Sequence, residues 1–385
     1  MKTPTIYVAG HTGLVGSAIV RALEASGYEH ILTRDLAELD LTDQAKTRDF
    51  LARERPDVVI LAAARVGGIL ANWEYPYEFI QENLAMEVNV IHEAFRAGAK
   101  RLMFLGSSCI YPQLAPQPLK EEYLLTGPLE ETNRPYAIAK IAGIELCRSL
   151  AREYGTECVS LMPTNLYGPG DNFNLETSHL LPALIRKFHE GAAVAGAAGG
   201  GGPVAAPDGA AGSAAPGGPA APHDAGAAAA AGSPAARAAG AAAPRGANLV
   251  APTPAPVTLW GTGTPRRELL YVDDLADAIR LLLELPDWHG IPDGMLNIGT
   301  GKDLTIAELA TVVADVVGYG GPIVWDTEKP DGTPQKLLDT SRINSLGWAP
   351  ATDLETGIRK SYEWFLQNRA SAVAAESAEH GKDRT

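Results

Sequence analysis

The chain has 385 residues, 46% of them hydrophobic, enough to bury one large core or two joined ones without disulfide or metal support. A net charge of −14 excludes the basic face that nucleic-acid binding needs, and no apolar run reaches the length of a membrane span. Three cysteines, Cys109, Cys147 and Cys158, have no paired spacing, so neither a disulfide framework nor a zinc site is expected; with no signal-peptide pattern at the start, the expected setting is a reducing cytoplasm.

Thr5–Ala9 is a short apolar run. It is followed by Gly10-His-Thr-Gly13-Leu-Val-Gly16 and then by helical periodicity through Ala18, Ile19, Ala22 and Leu23. Strand, glycine loop and helix in that order suit a dinucleotide, because glycines let the backbone approach a pyrophosphate whose charge then rests on the helix amides. The next strand, His30–Thr33, ends in Arg34-Asp35, near the ~20-residue offset at which a carboxylate would hold a ribose hydroxyl or an arginine a phosphate. The two neighbours point to opposite cofactors, with Arg34 leaning towards NADP. Ordinary surface charge is the alternative for both.

Apolar runs at Val58–Leu61, Leu102–Leu105, Val159–Met162 and Met295–Ile298 alternate with helical stretches, one of them around Phe79–Ala97. This alternation predicts an α/β fold, a doubly wound parallel sheet with helices on both faces and ligands at the carboxyl ends of the strands. Two polar, glycine-bearing loops belong at those ends: one carries Ser107, Ser108 and Cys109, the other runs from Pro163 through Asn165 to Gly170.

Asn133-Arg-Pro-Tyr-Ala-Ile-Ala-Lys140 sets Tyr136 and Lys140 one turn apart at the start of a helix. An ammonium beside a phenol stabilises the phenolate and would bring its pKa down towards the working range, which makes Tyr136 a candidate proton donor. Ser107 could hydrogen-bond the same substrate carbonyl. A bare Tyr-x-x-x-Lys also occurs on helices with no such role.

From Ala192 to Asn248 the sequence is almost wholly Ala, Gly and Pro, and residues 192–256 are expected to be a disordered insertion between a helix ending near His189 and a strand starting at Val257. Tyr271-Val-Asp-Asp274 opens a further helix, Asn297-Ile-Gly-Thr-Gly301 reads as a structural turn, and residues after Asn368 read as a frayed tail at 369–385.

Gly10-x-x-Gly13-x-x-Gly16, Ser107 and Tyr136-x-x-x-Lys140 together resemble the extended short-chain dehydrogenase/reductase family. Longer strings narrow the likeness to its GDP-L-fucose-forming branch: Ala63–Ile69, Gly106–Pro112, Pro135–Gly143, Met162–Gly168 and Lys329–Pro334. The resemblance implies a Rossmann-like NADP-binding domain over 1–168 with 257–300 contributing, and a smaller substrate lobe from 169–190 and 301–368. It implies inversion of the two carbons flanking the ketone of GDP-4-keto-6-deoxy-D-mannose, then reduction by NADPH. Ser107, Tyr136 and Lys140 would serve the reduction, with Cys109 as base and His179 as acid for the inversion.

The same resemblance assigns NADP(H) contacts to Gly10, Thr12, Gly13, Leu14, Val15 and Gly16, and to Arg34, Leu105, Gly106, Ser107 and Lys140. Pro163, Asn165, Leu166 and His179 complete that set. Thr12 stands where many relatives carry a basic residue, which leaves the cofactor's extra phosphate to Arg34. GDP-sugar contacts would fall to Ser108, Asn165, Lys187, Trp260, Arg267 and Asp331. The implied assembly is a homodimer pairing the helices around Phe79–Ala97 and Ala139–Glu153. Competing readings are a nucleotide-sugar 4-epimerase or 4,6-dehydratase, although Ser108-Cys109 stands where dehydratases carry an acid, and a non-catalytic cofactor sensor, although the Tyr/Lys pair is intact.

Overall fold

The structure, a computed structural model, describes residues 4–175, 177–198, 254–329 and 331–374. The first half alternates strand and helix: β1 (Ile6–Ala9), α1 (Leu14–Ala25), β2 (Ile31–Leu32), α2 (Gln44–Glu54), β3 (Val58–Leu61), α3 (Ile69–Glu74), α4 (Pro76–Ala97), β4 (Arg101–Leu105), α5 (Arg134–Tyr154) and β5 (Glu157–Pro163). After β6 (Asn165–Tyr167) come α6 (Leu180–Ala198), β7 (Val257–Trp260), β8 (Arg266–Tyr271), α7 (Val272–Glu284) and β9 (Met295–Ile298). The chain continues through β10 (Asp303–Thr305), α8 (Ile306–Val317), β11 (Ile323–Asp326), β12 (Gln335–Lys336), α9 (Ser341–Ser345) and α10 (Leu354–Ala374).

Six of these strands form one parallel sheet in the order β2-β1-β3-β4-β5-β9. Its central strands are apolar on both faces because both faces are covered, as parallel sheets require. One core packs α1 and α7 against Ile6, Val8, Ile60 and Met103; the other packs α4 and α5 against Tyr7, Val59, Leu61 and Phe104. The strand order reverses between β1 and β3, and the crevice at their carboxyl ends is where such a sheet binds ligands.

A third core joins α6, α8 and α10 to β7 and the far end of β8, around Phe173, Phe188, Leu309 and Phe365. Here β8 is the organising strand. It pairs with β10 antiparallel, with β12 parallel, and through Leu269–Tyr271 with β6. Separately, β7 pairs with β11.

Two boundaries differ from the sequence reading. The helix expected to end near His189 runs on to Ala198, so residues 192–198 of the expected insertion are helical; alanine, the best helix former, extends a helix already anchored by its core face. The remainder of that insertion up to 253 lies outside the described residues. The expected tail begins as helix: α10 breaks its helical dihedrals at Asn368 and resumes to Ala374, while 375–385 lie outside the described residues. Asn297 is structural as expected, fully buried and hydrogen-bonded to Tyr111, Leu119 and Asp339.

Candidate active site

The glycine loop fits a dinucleotide on its geometry. Gly10 takes φ +85°, a conformation that disfavours a side chain, and a Cβ on Gly16 would collide with the Gly10 carbonyl. Gly13 is the N-cap of α1 and no side chain caps that end, so the first amides, from Leu14 and Val15 onwards, face the loop without a competing acceptor. Thr12 is exposed in the loop. Arg34, just past β2, lies 5.3 Å above the Phe50 ring and 3.6 Å from Glu54, with a guanidinium nitrogen donating to the Thr33 carbonyl.

The chemistry gathers where β4 and β5 end. The Gly106 amide donates to Leu161, and a Cβ on Gly106 would crowd that carbonyl at 3.2 Å, which holds the chain beyond Leu105 flat against β5. Ser107 then caps a single turn, Ser108–Ile110, its hydroxyl accepting from the Cys109 amide at 3.2 Å. The Ser107 side chain also lies near the Tyr136 phenol and the Cys109 thiol and draws the pKa of each down. Ser108 is buried beside it.

Pro135 sits in the first turn of α5, where its missing N–H costs nothing, and Tyr136 and Lys140 follow on one face. Lys140 is 1% exposed. Its ammonium lies 3.2 Å from Glu87 of α4, 4.8 Å from the Phe104 ring and 5.8 Å from the Tyr136 ring. The sequence reading expected Lys140 to bring the phenol's pKa down. Instead the Tyr136 pKa is raised, by burial first and then by the charges of Cys109 and Glu87, with only the nearby Ser107 side chain acting the other way. The physical reason is that the phenol is surrounded by protein, which disfavours its anion more than any nearby charge does.

Cys109 is half-buried, and Lys336 of β12 reaches its sulfur at 3.2 Å. Burial alone would push the thiol up, but the Lys336 charge, the nearby Ser107 side chain and the Lys336 hydrogen bond outweigh it, so its pKa falls below the usual thiol value despite Glu130. His179 precedes α6 and keeps an exposed edge; surrounding protein and the same Lys336 charge hold its imidazole below the ordinary value.

Arg267 is the register partner of Lys336 across β8 and β12. Its guanidinium donates to the Arg266 and Thr333 carbonyls, and burial lowers its pKa while Cys109 and Asp331 oppose. Asp331 itself is tied to the amide and hydroxyl of Thr262, beside the exposed Trp260, over which Lys329 sits at 5.4 Å. Lys187 of α6 donates to Thr258, and burial lowers its pKa. Pro163 ends β5, and Asn165 and Leu166 open β6, Asn165 donating to the Glu268 carbonyl.

The structure thus brings Ser107, Cys109, Tyr136 and Lys140 into one cluster, with His179 and Arg267 in its electrostatic reach; Arg34 packs against Phe50 and Glu54 instead, and Asp331 reaches Arg267. Sequence reasoning missed Lys336 and Glu87. The string ending at Pro334 lay two residues from Lys336, the nearest available signal. A cavity of about 710 Å³ opens elsewhere, at the amino end of β5 between Arg148, Cys158 and Trp288, and gathers none of these groups.

Comparison with known proteins bears on this cluster. The profile of the NAD dependent epimerase/dehydratase family matches residues 6–202 and 230–299. The chain is 45% identical to GDP-L-fucose synthase of Escherichia coli (strain K12), over 96% of this chain and 98% of that one, and 46% identical to GDP-L-fucose synthase 1 of Arabidopsis thaliana, over 95% and 94%. Among solved structures it is similar to a GDP-mannoheptose C4 reductase from Campylobacter jejuni with NADP bound, at 32% identity and TM-score 0.74, covering 95% of this chain and 99% of that one.

Proposed function

The chain belongs to the NAD dependent epimerase/dehydratase family, and from that premise we propose that it acts as a GDP-L-fucose synthase. It inverts the two carbons flanking the ketone of GDP-4-keto-6-deoxy-D-mannose and then reduces that ketone with NADPH. The observation that carries this reading is the gathering of Ser107, Tyr136 and Cys109 in one cluster, with the Lys336 ammonium hydrogen-bonded to the Cys109 sulfur. Epimerisation and reduction need the Tyr136 and Cys109 side chains at the same carbonyl.

In the inversion, Cys109 as thiolate takes a proton from a carbon next to the ketone while Ser107 and Tyr136 hydrogen-bond the developing enolate oxygen. His179 as imidazolium returns a proton to the opposite face, and exchange with solvent resets both groups. Lys336 favours the thiolate. The Gly10–Gly16 loop, Arg34 and Lys140 would hold NADPH, which when bound would supply the hydride for the carbonyl carbon. Tyr136 gives its proton to the carbonyl oxygen, and the phenolate left behind regains one from solvent.

Residues 1–168 with 257–300 would hold the cofactor, and 169–190 with 301–368 the sugar, a division supported by the separate core around α6, α8 and α10. Arg267 offers a fork suited to the diphosphate. Exposed Tyr77 and Val88 on α4 and Ile138 and Tyr154 on α5 support a homodimer built on those helices. Among the described residues no helix is long and apolar enough to cross a membrane, and a cytoplasmic setting accords with three free cysteines.

Incubation with the keto-sugar and either nicotinamide tests the activity. Loss of NADPH absorbance with formation of GDP-L-fucose is expected. A sugar that comes back unreduced, or reduced without inversion, refutes it.

A further inference from the structure

One edge of β12 pairs with β8, and the other is closed by an unusual partner. Leu119 forms a single parallel bridge there with Leu338, its amide donating to the Leu337 carbonyl at 2.7 Å and its carbonyl accepting from the Asp339 amide at 2.8 Å. The next rung of a parallel ladder would come from the backbone of Gln117, two residues back. The Gln117 side chain supplies both halves of it instead: its amide nitrogen donates to the Gln335 carbonyl at 3.4 Å, and its amide oxygen accepts from the Leu337 amide at 3.0 Å. The two peptide groups so held are those on either side of Lys336, whose ammonium reaches the Cys109 sulfur at 3.2 Å.

We propose that Gln117 is a positioning residue for the inversion: its side-chain amide fixes the backbone on both sides of Lys336 and so keeps the lysine's ammonium at the Cys109 sulfur. The inference rests on the role given to Lys336 above and extends it to a neutral side chain one step further from the thiol. A lysine stem is long and flexible, so holding its ammonium in one place is costly unless the backbone beneath it is fixed. With only two residues, β12 has little ladder of its own on the β8 side, where Gln335 faces Arg266 and Lys336 faces Arg267. Gln117 and the Leu119 bridge secure the opposite edge. Cys109, Gln117, Gln335 and Lys336 also line one cavity of about 20 Å³, scarcely more than one water needs, so the approach of the ammonium follows the strand.

The charged and titratable groups within reach of the sulfur are Lys336 from β12, Arg267 from β8, Glu130 from the loop ahead of α5 and Tyr136 from α5. Gln117 adds no charge to that set. Any influence it has on the proton of Cys109 must therefore pass through the place of one of these groups, and Lys336 is the one whose flanking peptides it binds.

The test is the pH dependence of Cys109 alkylation by iodoacetamide, followed by mass spectrometry of the Cys109 peptide, in the wild type, Gln117→Met, Lys336→Met and the double variant. Methionine matches glutamine in length and lacks its donor and its strong acceptor. Gln117→Met should raise the pH of half-maximal alkylation and slow the reaction at neutral pH by about 3- to 10-fold, the scale of one or two lost hydrogen bonds. On the Lys336→Met background the same change should do nothing further, because the two residues act in series. Reduction of an already inverted keto-sugar by NADPH should keep its kcat in Gln117→Met, which a general loosening of the fold would not allow. A Gln117→Met profile that overlays the wild type overturns the proposal even if the protein melts earlier. An equal shift on both backgrounds overturns it too, since Gln117 would then act on the thiol without the lysine. If Gln117→Met does not fold, Gln117→Asn, one carbon too short to span both peptides, is read against the same outcomes. Alkylation needs no substrate, so a wild type that makes no inverted sugar sinks the activity and leaves this result standing. A Lys336→Met profile identical to the wild type sinks both the role of Lys336 and that of Gln117.

Discussion

Replacing Lys336 by Met tests the inversion chemistry most directly, since the side chain keeps its length and loses its charge. The Lys336 nitrogen lies 3.2 Å from the Cys109 sulfur. With an effective dielectric of ~20, charges at that distance attract by about 5 kcal/mol, an upper figure because Cys109 is only half-buried and solvent screens part of it. A hydrogen bond to a charged group contributes ~1.5–3 kcal/mol, and ~1.4 kcal/mol is a factor of ten. At neutral pH the thiolate population, and with it proton removal from the sugar, should fall about 10- to 100-fold on this scale. The sign is fixed by direction: Lys336 holds both Cys109 and His179 below their ordinary values, so its loss raises both, and the whole bell of rate against pH moves to higher pH. The assay is uptake of solvent deuterium at the two carbons beside the ketone without NADPH, followed by mass spectrometry at saturating sugar. Exchange in Lys336→Met with the wild-type rate and pH profile would refute the reasoning.

Cys109→Ser should abolish that exchange yet still reduce an already inverted intermediate; equal loss in both assays would show that the steps share the thiol. Tyr136→Phe should lower kcat for reduction by ~10²–10⁴, the usual worth of a positioned acid, while exchange survives in part. Gly16→Ala should weaken NADPH binding, read by fluorescence titration, because its methyl would collide with the Gly10 carbonyl and spread the phosphate cradle; unchanged affinity would show that the loop relaxes freely. Arg34→Ala should narrow the ratio of NADPH to NADH affinity, and a constant ratio would mean that its stack on Phe50 is all it does.

What could be read from the sequence was what neighbours in the chain express together. Val58–Leu61 reads as a strand because it is apolar on both faces, and Gly10–Gly16 or Tyr136–Lys140 carry their meaning within one loop or one turn. The strands β6 and β12 are too short to show any alternation, and β8 begins Arg266-Arg267-Glu268, a polar triplet that looks like loop until Glu268 is seen buried, holding the amides of Gly301 and Leu338. Lys336 was illegible for the same reason. It meets Cys109 across 227 positions, and nothing around it in the chain marks it out from any solvated lysine. Glu87 likewise gains its meaning only when α4 packs on α5. The expected drop in the Tyr136 pKa fails because folding buries the phenol and brings Cys109 and Glu87, both distant in the chain, close to it.

The pairing of Lys336 with Arg267 across two parallel strands has a consequence for redesign. Adjacent strands are held ~4.8 Å apart by their ladder, so the side chain suited to the nucleotide handle and the side chain that primes the sulfur travel as one piece. Swapping the handle for another, by remodelling around Arg267, would therefore be felt in the proton chemistry on the sugar ring, and the two cannot be engineered as independent modules.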